Sequence, residues 1–363
     1  MASPRPPLPF RKGSRRTLSI TSAKTIPPLP VTWLWADRIA LGTLCLLGGR
    51  EQVGKSILAY TIAANITQGR LPGCTVGTPR PVLVVATEDS WEHTIVPRLM
   101  AADANLDLIY RLQVHVSNGD ETSLTLPLDL GELTALVQQL HPALLILDPI
   151  LSRLAPNLDT HKDAEVRVAL EPLVRMADAT QLAIIGLIHV NKSGSGDPLT
   201  LLMGSRAFAA VARSVLFVLF DPDDDTQRIR LMGQAKNNLG RIDLPTLTFT
   251  VDNVCVAHTP TGDVWTGQLT WLPDSSKSLF DAITTTPMTA GDLTAVQEAY
   301  DWLHDYLESL NGPADSAAVK RAGQHAGHTL RTLHRARERL HIVVSHAGYP
   351  RRTFWTLPLI ATM

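Results

Sequence analysis

Short, nearly continuous runs of apolar residues alternate with longer amphipathic stretches in the chain. The apolar runs predict buried strands at 41–47, 82–86, 144–147, 183–188 and 215–220. The stretches between them include helical patterns at 56–67, 130–139 and 164–177. This alternation is typical of an α/β fold, in which right-handed crossovers connect the strands of a mostly parallel sheet.

The pattern changes towards both ends of the chain. Strand-like segments at 229–234 and 246–251 predict antiparallel extensions of the sheet, and 293–345 has a helical pattern. The first residues are rich in Pro, Ser and Arg without apolar periodicity, which predicts disorder. The predicted organisation is a disordered basic arm at 1–30, an α/β core at 31–271, a polar linker at 272–292 and a small C-terminal domain at 293–363.

Composition narrows the class of protein. Apolar residues make up 45% of the 363 residues and aromatic residues only 5%, which suits the aliphatic strands of a parallel sheet. The three cysteines are far apart, with neither a disulfide framework nor a metal-ligand spacing, as expected in a reducing compartment. No apolar stretch approaches the ~18 residues of a membrane helix, and the first residues lack a secretory apolar core. We therefore expect a cytoplasmic protein without membrane contact.

The segment after the first buried strand has the most specific pattern in the chain. Residues 49–56 fit G-x-x-x-x-G-K-[ST] between a strand and a helix, the setting of a phosphate-binding P-loop. Its glycines let backbone N–H groups face a β-phosphate, Lys55 neutralises phosphate charge, and Ser56 ligates Mg²⁺. The predicted cofactors are ATP and Mg²⁺, and the predicted contacts are Gly49, Arg50, Glu51, Gln52, Val53, Gly54, Lys55, Ser56 and Ile57.

Two later strands end in carboxylates. Asp148 closes the run at 144–147 and would hold Mg²⁺ through water or through Ser56. Glu88 and Asp89 follow the run at 82–86, where a carboxylate can act as general base towards the attacking water. The alternative is structural, because acidic residues also occupy turns and cap the helix that follows.

The order of these motifs resembles the RepA-like ATPases, plasmid and phage relatives of the RecA/DnaB helicase core. After the P-loop come Glu-Asp-Ser at 88–90, Leu-Ile-Leu-Asp-Pro at 145–149, His-Val-Asn-Lys at 189–192 and Gly-Ser-Arg-Ala at 204–207. The resemblance covers about residues 30–260. It implies a RecA-like P-loop NTPase core, a homo-oligomer, usually a hexamer, and ATP hydrolysis coupled to work on DNA, with Glu88 as catalytic base.

The resemblance also implies roles for residues at the subunit interface. His189 stands where the family has a γ-phosphate sensor. Arg213 matches an arginine finger that acts on the neighbouring subunit, with Arg206 as the alternative. Lys236 matches an interface lysine, whereas Asn238 stands where DnaB-type helicases have Arg. This departure leaves Lys236 and Arg213 to contact the γ-phosphate in trans.

Several cations are candidate DNA contacts. In a RecA-like ring two loops face the channel for single-stranded DNA, one with Lys192 and one with Arg153, His161, Lys162 and Arg167. Both ends of the chain are basic, which favours a polyanionic partner. Residues 319–337 predict helix, turn and helix, and strands at 342–344 and 353–357 would complete a winged helix. Its candidate contacts with duplex DNA are Arg331, Arg335 and Arg339. A small oligomerisation or docking domain is the alternative.

Two classes of function fit these observations. The first is an ATP-driven DNA motor, specifically a hexameric replicative helicase of a phage, plasmid or integrated element. The second is a nucleotide-switched DNA-binding or loading factor, or a recombinase-like filament, that hydrolyses ATP without unwinding DNA. Both need the same nucleotide site, so they differ in what the oligomer does with DNA.

Overall fold

The computed structural model describes residues 18–117, 119–190, 198–202, 206–285, 290–310, 312–347 and 352–358. Two compact units divide the chain, 1–31 and 32–363. In the first unit the described residues are exposed, and their regular structure is a single 3₁₀ turn at Ala23–Thr25. The predicted basic arm is therefore described only from residue 18 onwards.

A nine-stranded sheet forms the centre of the second unit. Its strand order is β13-β12-β11-β10-β3-β9-β8-β4-β5; the six strands from β10 to β5 pair in parallel and β11, β12 and β13 add antiparallel strands. This arrangement confirms the predicted mixed α/β class. The described strands are β1 (Trp33–Trp35), β2 (Ile39–Ala40), β3 (Leu44–Gly49), β4 (Val82–Ala86), β5 (Ile109–Arg111), β6 (Val114–His115), β7 (Glu121–Thr122), β8 (Leu144–Asp148), β9 (Ala183–His189), β10 (Ser214–Phe220), β11 (Arg230–Asn237), β12 (Thr246–Thr259), β13 (Gly262–Ser275), β14 (Ala314–Asp315), β15 (Val343–Ala347) and β16 (Arg352–Thr356).

Helices cover both faces of this sheet. The described α-helices are α1 (Lys55–Thr67), α2 (Val96–Ala101), α3 (Leu130–Leu140), α4 (Asp163–Thr180), α5 (Pro198–Leu201), α6 (Ala207–Val211), α7 (Leu279–Thr285), α8 (Ala290–Leu310), α9 (Ser316–His325) and α10 (Leu330–Arg339). Alternate residues of β3 enter opposite cores: Leu44 and Leu46 pack with α3, α4 and α6, whereas Cys45 and Leu47 pack with α1 and α2. Burial on both faces explains why the parallel strands are continuous apolar runs. None of the described helices combines the length and the apolar character that a bilayer-spanning segment needs.

The register of the sheet brings four strand ends together. Gly49 at the end of β3 lies beside His189 at the end of β9, and Ala86 at the end of β4 lies beside Asp148 at the end of β8. Ligands of open parallel sheets bind outside the carboxyl ends of the strands. This edge of the sheet is therefore the place to look for a site.

The linker predicted at 272–292 is wrong. These residues contain the end of β13, all of α7 and the start of α8. Leu279, Ala282 and Ile283 are buried in the main core, with Leu279 directly against Gly233 of β11. The apolar face of a helix this short contributes only three residues, which the surrounding Thr, Ser and Pro conceal in the sequence.

The end of the chain forms its own small cluster of elements. Strands pair in the order β14-β16-β15, and the buried Trp355 of β16 packs with α8, α9 and α10. Asp315 and Thr329 cap α9 and α10 by accepting backbone N–H hydrogen bonds. A Cβ at Gly323 would lie 2.6 Å from Leu333, so glycine allows the two helices to approach closely. The predicted helix, turn and helix are present, followed by two strands. The first begins one residue later and ends three residues later than predicted, and the second lies one residue earlier than predicted.

Candidate functional site

The loop between β3 and α1 is shaped by two glycines. A Cβ at Gly49 would lie 2.5 Å from the carbonyl oxygen of Val218, so no larger residue fits without displacing the neighbouring strand. Gly54 has φ of 97° immediately before α1, and Gln52 has φ of 61°. Between them Val53 is 1% exposed and anchors the loop in the core. Left-handed backbone at these points folds the loop tightly over the start of α1.

Lys55, the first residue of α1, places its ammonium group inside this loop. It is 6% exposed, and its Nζ donates to the carbonyl oxygens of Gly49 at 3.0 Å and Arg50 at 2.8 Å. His189 Nδ1 lies 3.4 Å from the same nitrogen. Burial lowers the pKa of Lys55 to about 8, although Asp148 and nearby glutamates oppose this shift. No ion pair with Lys55 is found among the described residues. Its buried ammonium group can therefore neutralise the charge of a bound anion.

A carboxylate and two hydroxyls lie next to this lysine. Asp148 is 9% exposed, and burial raises its pKa, although a hydrogen bond with the Ser56 hydroxyl and the charge of Lys55 both oppose the shift. Tyr60 donates from its phenol to Asp148 Oδ2 at 3.4 Å. Tyr60 is one helical turn beyond Ser56, and this spacing is what places both hydroxyls on the face of α1 that meets β8.

Glu88 completes the arrangement from the end of β4. Its Oε2 lies 3.9 Å from His189 Nε2, so His189 lies between the carboxylate of Glu88 and the ammonium of Lys55. The Glu88 side chain is 59% exposed, which leaves its carboxylate accessible to water. A carboxylate placed in this way can accept a proton from a water molecule at Oε2.

Asp89 has a structural role instead. Its Oδ2 pairs with Arg98 Nη1 at 2.7 Å. The capping residue of the following helical segment is Ser90, whose hydroxyl accepts from the backbone N–H of His93 at 3.2 Å. The alternative that Glu88 or Asp89 caps this helix is therefore wrong, and of these two carboxylates Glu88 is the one that faces the loop.

The residues around the loop fit a nucleoside triphosphate with a divalent cation. The glycines keep side chains out of the cradle, and the buried ammonium of Lys55 forms no ion pair with a carboxylate among the described residues. Ser56 and Asp148 supply the oxygen ligands that Mg²⁺ prefers. When bound, the nucleotide would supply the phosphoanhydride bond. Mg²⁺ would supply positive charge that offsets the negative charge of the phosphates.

Comparison with known families agrees with this geometry. The model of the AAA domain matches residues 9–195, just over half of the 363-residue chain. The chain belongs to the AAA domain family. A search of curated proteins finds no match to it. As an AAA domain the chain is a P-loop ATPase. The assignment of the loop at 49–56 as its nucleotide site stays a prediction.

One predicted interface residue of this AAA domain, Arg213, lies at the opposite edge of the sheet. Arg213 is exposed just before β10, and its backbone N–H donates to the carbonyl of Leu44 at the start of β3. The P-loop leaves the far end of β3, about 15 Å away at ~3.3 Å per residue. Arg206 is exposed at the start of α6. Arg213 therefore cannot serve the P-loop of its own chain by a side-chain rotation.

Lys236 lies beside Arg213, but its ammonium group already donates hydrogen bonds to the backbone. Its Nζ donates to the carbonyl oxygens of Ala209 at 2.6 Å and Ala212 at 2.7 Å, which end α6. Burial, followed by the charge of Arg213, lowers its pKa. Asn238 follows β11 at the same edge, with its backbone N–H bonded to the carbonyl of Arg213. A role for Lys236 in trans would require its release from α6 and stays a prediction.

The loop cations proposed for DNA separate into two kinds. His161, Lys162 and Arg167 are exposed; Lys162 pairs with Glu165 at 3.2 Å and Arg167 with Glu171 at 3.2 Å. The other loop, with Lys192, lies outside the described residues, as do Gly204 and Ser205 of the Gly-Ser-Arg-Ala motif. Contacts of this AAA domain with a single strand therefore remain predictions.

Arg153 is not a solvent-facing cation. It is 2% exposed, its Nη2 donates to Thr87 Oγ1 at 2.9 Å, and its Nε and Nη1 have no hydrogen-bond partner within the part of the chain that the structure describes. Burial lowers its pKa, and the charge of Glu88 opposes the shift. Thr87 directly precedes the candidate base Glu88. The hydrogen bond from Arg153 to Thr87 therefore helps to hold the end of β4 in place. The sequence offered no signal for this contact, because an Arg five residues after a strand is ordinarily a loop cation.

We expect the Arg153→Met variant to keep or raise the free energy of unfolding while it lowers ATP hydrolysis. Methionine fills similar space without the two unpaired nitrogen donors, each of which costs ~1–3 kcal/mol when buried. Thr87 loses its partner, so Glu88 is held less firmly. Urea unfolding and phosphate release measure the two effects, with Arg70→Ala as an exposed control. A loss of stability of several kcal/mol would show that the guanidinium is paired after all.

Proposed function

We propose that this AAA domain protein is an ATP-driven DNA motor, specifically a ring-forming replicative helicase of the RepA-like kind. The observation that carries the proposal is the separation of Arg213 from the P-loop of its own chain. In a ring of identical subunits, the edge of one sheet at which the parallel strands begin would lie against the edge of the next sheet at which they end. Each nucleotide site would then receive Arg213 from the neighbouring subunit. ATP hydrolysis would then depend on assembly of the oligomer, and a ring-shaped motor needs this dependence.

The site's own residues would divide the work of hydrolysis. Lys55 and Ser56 hold the phosphates and Mg²⁺, and Asp148 keeps the Ser56 hydroxyl in place by its hydrogen bond. Glu88 accepts the proton of the attacking water. His189, between Lys55 and Glu88, links the phosphate-binding lysine to the base and is placed to respond to a change at either.

The C-terminal elements support a DNA partner. The order helix, strand, helix, helix and two strands, with the three-stranded sheet β14-β16-β15, is similar to that of a winged helix and supports this proposal. Helix α10 presents an exposed Arg339, which also lies 5.3 Å from the ring of Tyr300, and Arg335 is half-buried on the same helix. The side chain of Arg331 lies outside the described part of α10. Basic residues on such a helix suit phosphates and guanines of a major groove.

Strand separation tests the motor directly. The full chain is given a forked duplex with one labelled strand, ATP and Mg²⁺, and release of that strand is followed with time. Electron microscopy with a slowly hydrolysed ATP analogue and single-stranded DNA shows the assembly. We expect rings and ATP-dependent unwinding. DNA-dependent assembly without unwinding would favour the loading factor, and filaments on DNA would favour the recombinase-like alternative.

We expect Arg213→Ala to retain ATP binding and to lose turnover, by ~10³-fold or more if Arg213 is an arginine finger. Mixing it with Lys55→Ala should restore part of the activity, because some interfaces then combine an intact P-loop with an intact finger. Phosphate release is measured over a range of mixing ratios, with assembly checked by sedimentation. No recovery at any ratio would show that Arg213 does not act in trans.

Replacing Arg331, Arg335 and Arg339 with Ala in the full chain should weaken binding of duplex DNA without nucleotide. Each phosphate contact releases counterions, so the slope of affinity against salt should fall by about 1 for each arginine that contacts a phosphate. Fluorescence anisotropy of labelled duplex across a salt series measures both quantities.

Arg70→Ala removes an exposed arginine outside these helices and is the control for loss of a surface arginine. Basal ATPase activity should survive in the triple variant, because its nucleotide site precedes residue 260. If the wild type fails to bind duplex even at low salt, the C-terminal elements are better explained as a docking or oligomerisation domain.

A further inference from the structure

The hairpin of β12 and β13 brings a thiol, an imidazole and a carboxylate together near its tip. Cys255 and His258 lie on β12, and Asp263 lies opposite His258 on β13. Residues three apart in a regular strand face opposite sides of the sheet. Here the register shifts between Cys255 and Ala257, and the extra residue, Val256, turns Cys255 and His258 to the same side. The bulge therefore assembles the cluster.

The three ligand atoms are already close to one another. Cys255 Sγ lies 3.9 Å from His258 Nδ1, and His258 Nδ1 lies 2.7 Å from Asp263 Oδ1. All three atoms lie within 4.8 Å of one another. Tetrahedral Zn²⁺ with bonds of ~2.0–2.3 Å places neighbouring ligand atoms about 3.3–3.6 Å apart. Small rotations of the side chains would match these separations without movement of the strands.

The cluster is accessible to an ion from solvent. The side chains of His258 and Asp263 are 81% and 50% exposed, and Cys255 is half-buried beneath them. Thr259, Pro260, Thr261 and Gly262 close the hairpin next to the paired His258 and Asp263. An antiparallel pair so near a tight turn holds its side chains in a fixed relation, which lowers the entropic cost of bringing three ligands to one ion.

We propose that Cys255, His258 and Asp263 form a Zn²⁺ site at the tip of this hairpin. Thiolate and imidazole select zinc over Mg²⁺, which prefers oxygen ligands alone. Three protein ligands leave the fourth position of the tetrahedron to water. Cys255 loses its thiol proton to solvent as the sulfur–zinc bond forms, so affinity falls at acidic pH.

Zinc at this position would fasten the free end of the hairpin. The other end is tied to the core, where Gln268 donates to the carbonyl oxygen of Ala101 in α2. His258 is seven residues beyond Val251, which lies near Gly54 of the nucleotide loop, so the tip is about 20 Å further along the strand. The site therefore goes beyond the proposed motor function and does not depend on it.

Cobalt is the probe for this site, because a cobalt–thiolate bond gives a charge-transfer absorption band in the near ultraviolet. The metal-free full chain is kept reduced with a phosphine and titrated with Co²⁺ without nucleotide; Zn²⁺ is then added. We expect one equivalent of Co²⁺ with the thiolate band, and displacement by Zn²⁺. Cys255→Ser should lose the band, and His258→Ala should weaken Zn²⁺ binding at least ~10-fold.

Cys74→Ser is the matched control, because Cys74 is also a free cysteine at the surface and lies outside the hairpin. It should retain the band and the affinity. A second measurement needs no variant: in the wild type, Zn²⁺ should protect Cys255 from alkylation and leave Cys74 reactive. The proposal is overturned if the wild type shows no thiolate band, if the band persists in Cys255→Ser, or if Zn²⁺ leaves the alkylation of Cys255 unchanged.

Discussion

Lys55→Ala should abolish ATP hydrolysis and leave the fold intact. The ammonium group is buried in the loop, held by two carbonyl oxygens and lying near His189, without a carboxylate partner among the described residues. The positive charge of Lys55 therefore contributes little to the stability of the fold, and we expect it to act on the phosphates of the nucleotide. Removing a single stabilising group of this kind costs ~10²–10³-fold in turnover in other enzymes, and loss of phosphate binding adds to it.

Two measurements separate catalysis from stability in this variant. Phosphate release at saturating ATP and Mg²⁺ should fall to background, whereas the free energy of unfolding in urea should match or exceed that of the wild type. Lys162→Ala, which removes an exposed lysine paired with Glu165, is the control in the absence of DNA. Turnover near that of the wild type in Lys55→Ala would overturn the assignment of the loop.

Glu88→Gln is expected to bind ATP normally and to hydrolyse it ~10²–10⁴-fold more slowly, the usual contribution of a general base. The amide has the shape of the carboxylate but cannot accept the proton of water. The exposed carboxylate of Glu88 has His189 at 3.9 Å as its polar neighbour, so little of the fold depends on its charge. Single-turnover hydrolysis and binding of a fluorescent ATP analogue measure the two steps separately.

Asp89→Asn provides the comparison from the adjacent carboxylate. It weakens the pair with Arg98 and should lower stability more than catalysis, because that pair joins the end of β4 to α2. If Glu88→Gln instead loses ATP binding and hydrolyses each bound ATP at the normal rate, Glu88 is structural and the base lies elsewhere.

Local signals in the sequence were sufficient for the P-loop and for most of the sheet. The two glycines and the lysine of the loop act within eight residues of each other, so their spacing alone specifies the turn. Asp148 and Glu88 also lie at the edge that the sequence predicts, because the carboxyl ends of parallel strands meet at one edge whatever the exact strand order. Val82–Ala86 was predicted residue for residue, since strands buried on both faces are unbroken apolar runs.

Weak or short patterns failed where tertiary contacts decide the structure. Helix α7 was predicted as linker, because three apolar residues gain their stability only by packing against β11. Strand β12 was predicted to end at residue 251, yet it continues to Thr259 because β13 pairs along its whole length. In both cases the partner is distant in sequence or was itself not recognised as a strand.

The sequence by itself determined the α/β class and the strand ends that carry the glycine-rich loop, Asp148 and Glu88, because each depends on a local period or on a strand end. Only the tertiary structure decided what those groups meet. Lys55 and His189 are 134 residues apart, and Tyr60 and Asp148 are 88 apart, so their contacts depend on strand order and register. The burial of Arg153 follows from the packing around it. Cys255 and His258 lie close together because of one β-bulge. A bulge has no local signature, because it is a relation between two strands.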